Sequence, residues 1–157
     1  MLPIMIFNLP DDPGKFGAIR RHDIHTGIDL YCNEGAAVYA IERGRVTQII
    51  PFTGPAAESP WWNETWAIVV AGELGYILYG EILPNPFLKV GQQISEGYRL
   101  GWVEKVLKHD KGRPMTMLHL ELYDRDMEPV WWDLNTPQPE GLLDPTKLII
   151  NLMSSNE

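Results

Sequence analysis

Cysteine is nearly missing from this chain: Cys32 is the one thiol in 157 residues. That excludes an intramolecular disulfide and any metal site built from several thiolates, and it leaves Cys32 to be read as a small buried hydrophobe. Basic residues are also scarce, 13 lysines and arginines against 21 aspartates and glutamates, for a net charge of −8. A surface of that sign repels phosphate backbones and anionic bilayers, so neither nucleic acid nor a membrane is expected as a partner. No apolar run is long enough to span a bilayer. The opening MLPIMIFNLPDDPGKFG has no basic segment, and prolines break its short apolar run. It does not read as a signal peptide, so the expected location is cytoplasmic, or secreted or periplasmic if the chain is processed. Walker loops, G-x-G-x-x-G, G-x-S-x-G and Cys–His pairs are absent too, which removes the common nucleotide-binding and covalent-hydrolase readings.

What the chain does have is punctuation. Fourteen glycines and 13 prolines are scattered through it, which predicts many short strands and turns. Asp23 to Tyr31 alternates with period two. AAVYAIERGRVTQII reads as two strand-like runs joined across Arg43-Gly44, and WAIVVAGELGYILYGEI as two runs around a turn at Gly72 to Gly75. KVGQQISEGYRLGWVEKV adds very short strands. PFTGPAAESPWWNETW reads as a loop, and VWWDLNTPQPEGLLDPTKLI as a loop leading into a short terminal element. The expectation is a mainly β, mostly antiparallel single domain over residues 1–157, with residues 1–20 as an N-terminal extension.

Two strand segments carry the chemistry. In HTGID, His25 and Asp29 are four apart and would share a strand face, with Gly27 between them leaving a gap. An imidazole and a carboxylate around a gap suit zinc, which accepts nitrogen and oxygen donors; a simple His–Asp hydrogen bond is the plainer alternative. In MTMLHLELY, Leu118, Leu120 and Leu122 fall on one face, and Met117, His119, Glu121 and Tyr123 on the other, the pattern of a half-buried strand. His119 would supply a third ligand and leave a fourth position open, as in catalytic zinc sites. Glu121 would either orient the His119 ring from behind or be solvated.

The order HTGIDLYCNEGAAVYAIERGRVTQI, YILYGEI, VGQQISEGYRLG, MLHLELYD and LLDPTKLI resembles the lysostaphin/LytM-like zinc metallopeptidases, over about residues 22–148. Members of that family carry HxGxD, G-x-x-V-x-A-x-x-x-G-x-V, Y-x-H-L, V-x-x-G-x-x-I-x-x-G and HLHFE, and cleave peptide cross-links of bacterial cell walls. The resemblance implies an antiparallel fold of the duplicated hybrid motif type. It also implies a Zn2+ cofactor held by His25, Asp29 and His119, and a peptide, peptidoglycan-like or protein ligand in a groove. Against the family pattern, Glu81 stands where Y-x-H-L has its histidine, and Met117 replaces the first histidine of HLHFE.

Three expectations follow for the altered site. It is a zinc-binding module without ordinary endopeptidase activity, or a hydrolase with Glu81 as general base, or a closed site with Glu81 as fourth ligand. In the hydrolase reading, His109 or Arg113 from KHDKGRPM is the candidate electrophile, with a solvated loop as the alternative. Trp61, Trp62, Trp66, Trp131 and Trp132 lie in or beside the two long loops. They either wall a ligand cleft or cap the ends of the β core.

Overall fold

The computed structural model describes residues 14–112 and 115–155. The strands are β1 (Ile28–Tyr31), β2 (Ala37–Tyr39), β3 (Gly44–Thr53), β4 (Thr65–Gly72), β5 (Gly75–Pro84), β6 (Gln93–Ile94), β7 (Arg99–Val103), β8 (Met117–Tyr123) and β9 (Leu142–Leu143). They form one sheet in the order β1-β8-β5-β4-β3-β6, with β2 and β7 paired alongside β5 and β9 added to β8. Each pairing is antiparallel, as the turn-rich sequence implies.

The β4–β5 hairpin closes where the glycines predict it, with Gly72 opposite Gly75. Gly75 has φ +131°, and a Cβ there would sit 2.8 Å from the Tyr123 carbonyl oxygen; both facts call for glycine. The two runs around Arg43-Gly44 are strands but not partners, since β2 pairs with β7 and β3 with β4. The loop expected from Pro51 begins later, because β3 continues through Thr53. Pro51 lies opposite Trp66 on a stretch where β3 pairs with no second strand among the described residues, an edge position that tolerates a missing N–H.

Strand alternation sorts side chains into two cores. Ile68, Val70, Ile77, Tyr79, Leu118, Leu120 and Leu122 join the larger cluster, while Ala67, Val69, Leu78 and Tyr123 join the smaller one with Ile24, Trp132 and Leu142. The sheet is therefore covered on both sides, and all seven residues of β8 are buried. This corrects the half-buried reading of MTMLHLELY. Its polar face is roofed by Phe16, from far upstream, and by Met127, Val130 and Leu134 from the chain that follows the strand.

Three other expectations change. The alternation from Asp23 becomes strand only at Ile28, so His25 lies outside β1. The supposed extension over residues 1–20 is integrated from Gly14 onward: Gly14 accepts the Asp29 N–H and Ala18 accepts the His25 N–H, both at 2.9 Å. Residues 1–13 lie outside the described set. The terminal element is a helix, α1 (Thr146–Ser155). Asp144 caps it by accepting the Thr146 N–H at 2.9 Å and hydroxyl at 2.6 Å, with Pro145 between. Ile149 seats it in the larger core, with Leu148, Leu152 and Met153 partly buried beside it. Cys32 is half-buried against the same core, where burial pushes its thiol up to about 11.

Leu120 is fully buried between Ile28 and Tyr79. Leu120→Ala is expected to cost about 2–5 kcal/mol, read as a lower urea midpoint. Leu143→Ala, at a position 38% exposed, should stay within about 0.5 kcal/mol of wild type.

Candidate metal centre

The antiparallel register sets Asp29 of β1 directly opposite His119 of β8, and Gly80 of β5 on the other flank of His119. His25 arrives from the bend before β1. Its ring nitrogen Nε2 lies 3.2 Å from His119 Nδ1 and 3.2 Å from Asp29 Oδ1, and His119 Nδ1 is 2.9 Å from the same Asp29 oxygen. All three residues are buried. Gly27 is what permits this approach: a Cβ there would lie 2.3 Å from the Leu120 carbonyl oxygen and 2.9 Å from the His119 ring. The gap expected at Gly27 is thus filled by His119 itself.

Hydrogen bonds on the far sides of the rings fix their tautomers. His25 Nδ1 faces the Lys15 carbonyl oxygen at 2.9 Å and His119 Nε2 faces Glu121 Oε1 at 2.9 Å. The carbonyl accepts, and the Glu121 oxygens accept from their other neighbours too, so those nitrogens carry the protons. The other two nitrogens then point lone pairs at each other and at Asp29 Oδ1. Three electron-rich atoms facing one another about 3 Å apart need a positive charge shared among them, which either a proton or a metal ion supplies. Tetrahedral zinc with ligands at about 2.0–2.1 Å spaces neighbouring donors about 3.3 Å apart, close to what is seen. The residues fit a metal ion.

The charge balance agrees. Burial works against a charged His119 ring, but its bonds to Asp29 and Glu121 prevail and push it up to about 10. Burial alone would raise the Asp29 carboxyl; the bonds from His119 and His25 outweigh it and hold Asp29 well below the usual carboxylate range. In the metal-free protein a proton does the work of the cation. The second Asp29 oxygen accepts from Arg20 Nη2 at 3.1 Å, which leaves Oδ1 to face the cluster.

Glu121 is buried and fully engaged, which decides its role: besides His119 it accepts from the Thr26 hydroxyl at 2.6 Å and from the Tyr123 hydroxyl at 2.5 Å. Phe52 of β3 closes one wall, its ring centroid 5.3 Å from that of His119. Gly80 makes room for it, since a Cβ there would meet the Phe52 ring at 2.9 Å.

Glu81 sits on a β-bulge. Trp66 opposes Ile82 and Ala67 opposes Gly80, so residue 81 is the inserted one, and it adopts φ +64°. At the same point β5 changes partner, from β8 through Gly80 to β7 from Ile82. The Glu81 Oε2 atom is buried without a hydrogen-bond partner. Burial pushes its carboxyl up to about 8; the Asp29 charge adds to this, and His119 and Arg20 oppose it. Glu81 is not in the set whose donor atoms lie within 4.8 Å of one another, which is His25, Asp29 and His119 among the described residues. Donors around one zinc lie at most about 4 Å apart, so this arrangement does not favour Glu81 as a fourth ligand.

Met117 is buried at the start of β8, where its thioether cannot move protons. His109 is exposed, and Arg113 lies outside the described residues. The tryptophans divide: Trp132 is buried and packs on Phe16 at 5.6 Å, while Trp61 and Trp131 are 62% and 61% exposed. Arg20, Thr26, Tyr123 and Phe52 were not singled out by sequence reasoning. Only period two offered a signal, for Tyr123, which shares a face with His119 and Glu121.

Solved structures carry the same architecture. The catalytic domain of lysostaphin, an antimicrobial peptidase from Staphylococcus simulans, matches with a TM-score of 0.59 at 16% identity, covering 92% of this chain and 95% of that one. The chain has the lysostaphin/LytM-like peptidase fold. CbpA from L. salivarius REN matches at 0.58 and 23% identity, over 93% of this chain and 90% of that one. The catalytic domain of the prophage-encoded M23 protein EnpA from Enterococcus faecalis matches at 0.52 and 20%, over 88% of each chain. No family model matches the sequence, and no curated protein matches it. At these identities the likeness is one of fold.

A raised acid pKa in the folded state means that ionising Glu81 costs stability. The cost is absent below the unfolded value near 4.5, grows as pH rises towards about 8, and levels off above. With metal removed by chelator, Glu81→Gln is therefore expected to raise the melting temperature by a few degrees at pH 8.5 and to change it little at pH 4.5.

Proposed function

We propose that this protein binds zinc through His25, Asp29 and His119 and acts as a binding or regulatory module of metallopeptidase fold, without the ordinary endopeptidase chemistry of that family. The observation that carries the metal reading is the convergence of a carboxylate oxygen and two imidazole nitrogens whose tautomers are fixed from behind. What argues against ordinary catalysis is the company they keep. Met117 and Glu81 stand at the two positions where the resemblance implies proton-handling histidines, and loss of such a shuttle commonly removes factors of about 100 to 10,000 in rate. Held by these residues, zinc would tie the HTGID bend to β8 and rigidify the surface around it. The ligand proposed for that surface is a peptide or peptidoglycan-like chain, on the support of exposed Trp61 and Trp131 in the two long loops.

One observation favours a second reading. Glu81 holds a buried, unpartnered carboxylate oxygen on a strained bulge close to the cluster, and strain of this kind persists where the surroundings enforce it. Bound zinc supplies Lewis acidity. Glu81 would accept a proton at Oε2 and serve as general base, with Phe52 limiting water on one side.

Two experiments test these, the first the shared metal reading and the second the choice between them. Purified wild type is expected to carry one zinc per chain and to melt at lower temperature after chelation, while His25→Ala and His119→Ala lose the stoichiometric metal. Stoichiometric zinc in both variants would overturn the metal reading. In a peptide and muropeptide screen, zinc-loaded wild type and Glu81→Gln should show the same background. Cleavage by wild type that disappears in Glu81→Gln would establish the hydrolase reading instead.

A further inference from the structure

Each cluster residue has a partner behind it, but the partner of His119 differs in kind. His25 leans on a backbone carbonyl, fixed by the chain itself. His119 leans on Glu121, a buried carboxylate that must itself be held. A carboxylate taken out of water needs donors at both oxygens. At Oε1 the donors are His119 Nε2 and the Thr26 hydroxyl, and at Oε2 the donor is the Tyr123 hydroxyl. Tyr123 is held in turn by the Val130 N–H at 3.2 Å, and Thr26 is the neighbour of His25 in the chain.

We propose that Tyr123 and Thr26 are positioning residues for zinc: by clamping the two oxygens of Glu121 they keep it pointed at His119 Nε2 and so keep the Nδ1 lone pair directed at the metal position. The proposal rests on the zinc-binding reading and adds two residues to it. Geometry gives the reason both hydroxyls are needed. Thr26 pulls on the oxygen that His119 also uses, and Tyr123 stops the carboxylate from rotating about its last torsion. Without Tyr123 the far oxygen loses the donor that fixes the plane. Without Thr26 the near oxygen is held by the imidazole alone. In either case the ring can turn, and the donor triangle with Asp29 and His25 opens.

Zinc affinity, measured by competition with a chromophoric chelator, tests this alongside the melting temperature of the chelated protein. Tyr123→Phe and Thr26→Val are each expected to weaken zinc binding about 10-fold or more, whereas Thr26→Ser, which keeps the hydroxyl, retains wild-type affinity. In a Glu121→Gln background the effect of Tyr123→Phe on affinity should shrink towards none, because both act on one chain of contacts. If Tyr123→Phe and Thr26→Val lower only the melting temperature and bind zinc as tightly as wild type, the residues are merely structural and the proposal fails. It also fails if Tyr123→Phe weakens binding equally with and without Glu121. Should Tyr123→Phe not fold, the Thr26 pair decides alone. A wild type that takes up no stoichiometric zinc overturns the underlying metal reading, a result distinct from either failure.

Discussion

Three electron-rich atoms meet at the centre of this protein with their lone pairs turned inward, and much of the surrounding structure follows from that. Such a meeting is repulsive unless a positive charge sits within it. The fold imposes it from three directions: β1 and β8 fix Asp29 against His119 by register, and the bend at Gly27 brings His25 over the same point. Behind each atom is a group that prevents escape, a carbonyl behind His25, a carboxylate behind His119 and a guanidinium beside Asp29.

The location of the cluster explains how strongly these groups influence one another. It lies at the border of the smaller core, on a strand buried on both faces, with an aromatic ring against one imidazole. Low polarizability there strengthens each charge–charge interaction and makes an unsatisfied polar atom costly. The same surroundings that keep a proton on His119 to about pH 10 keep one on Glu81 to about pH 8. One group is paired and the other is not, and that difference separates a structural anchor from a candidate for chemistry.

Much of this was legible in the sequence, and what was hidden shares a cause. Period-two alternation located β8 and its face, and glycine spacing located the β4–β5 hairpin. The residue types in HTGID and LHLEL named the three donors. Local patterns could not reveal pairings between distant residues, such as Thr26 with Glu121, 95 positions apart, or the covering of β8 by the chain around Phe16 and Val130. Period counting assumes a regular strand, so it could not show that Glu81 is an inserted residue. It also extended β1 back to Asp23, where the chain is bent. The terminal helix had a readable start in Asp144-Pro145-Thr146, but ten residues with one buried position gave little periodicity to detect.

The bulge in β5 has an implication for how this site can vary. Residue 81 is surplus to the pairing with β4, and it falls where β5 passes from β8 to β7. Removing it would leave Gly80 opposite Ala67 and Ile82 opposite Trp66 in a regular ladder, and would take away the local bend at which β5 changes partner. Replacing it disturbs no ladder. The bend belongs to the inserted backbone and not to its side chain, so that a histidine or a glutamate able to hold φ near +64° can stand there while the frame that presents it to the cluster stays the same.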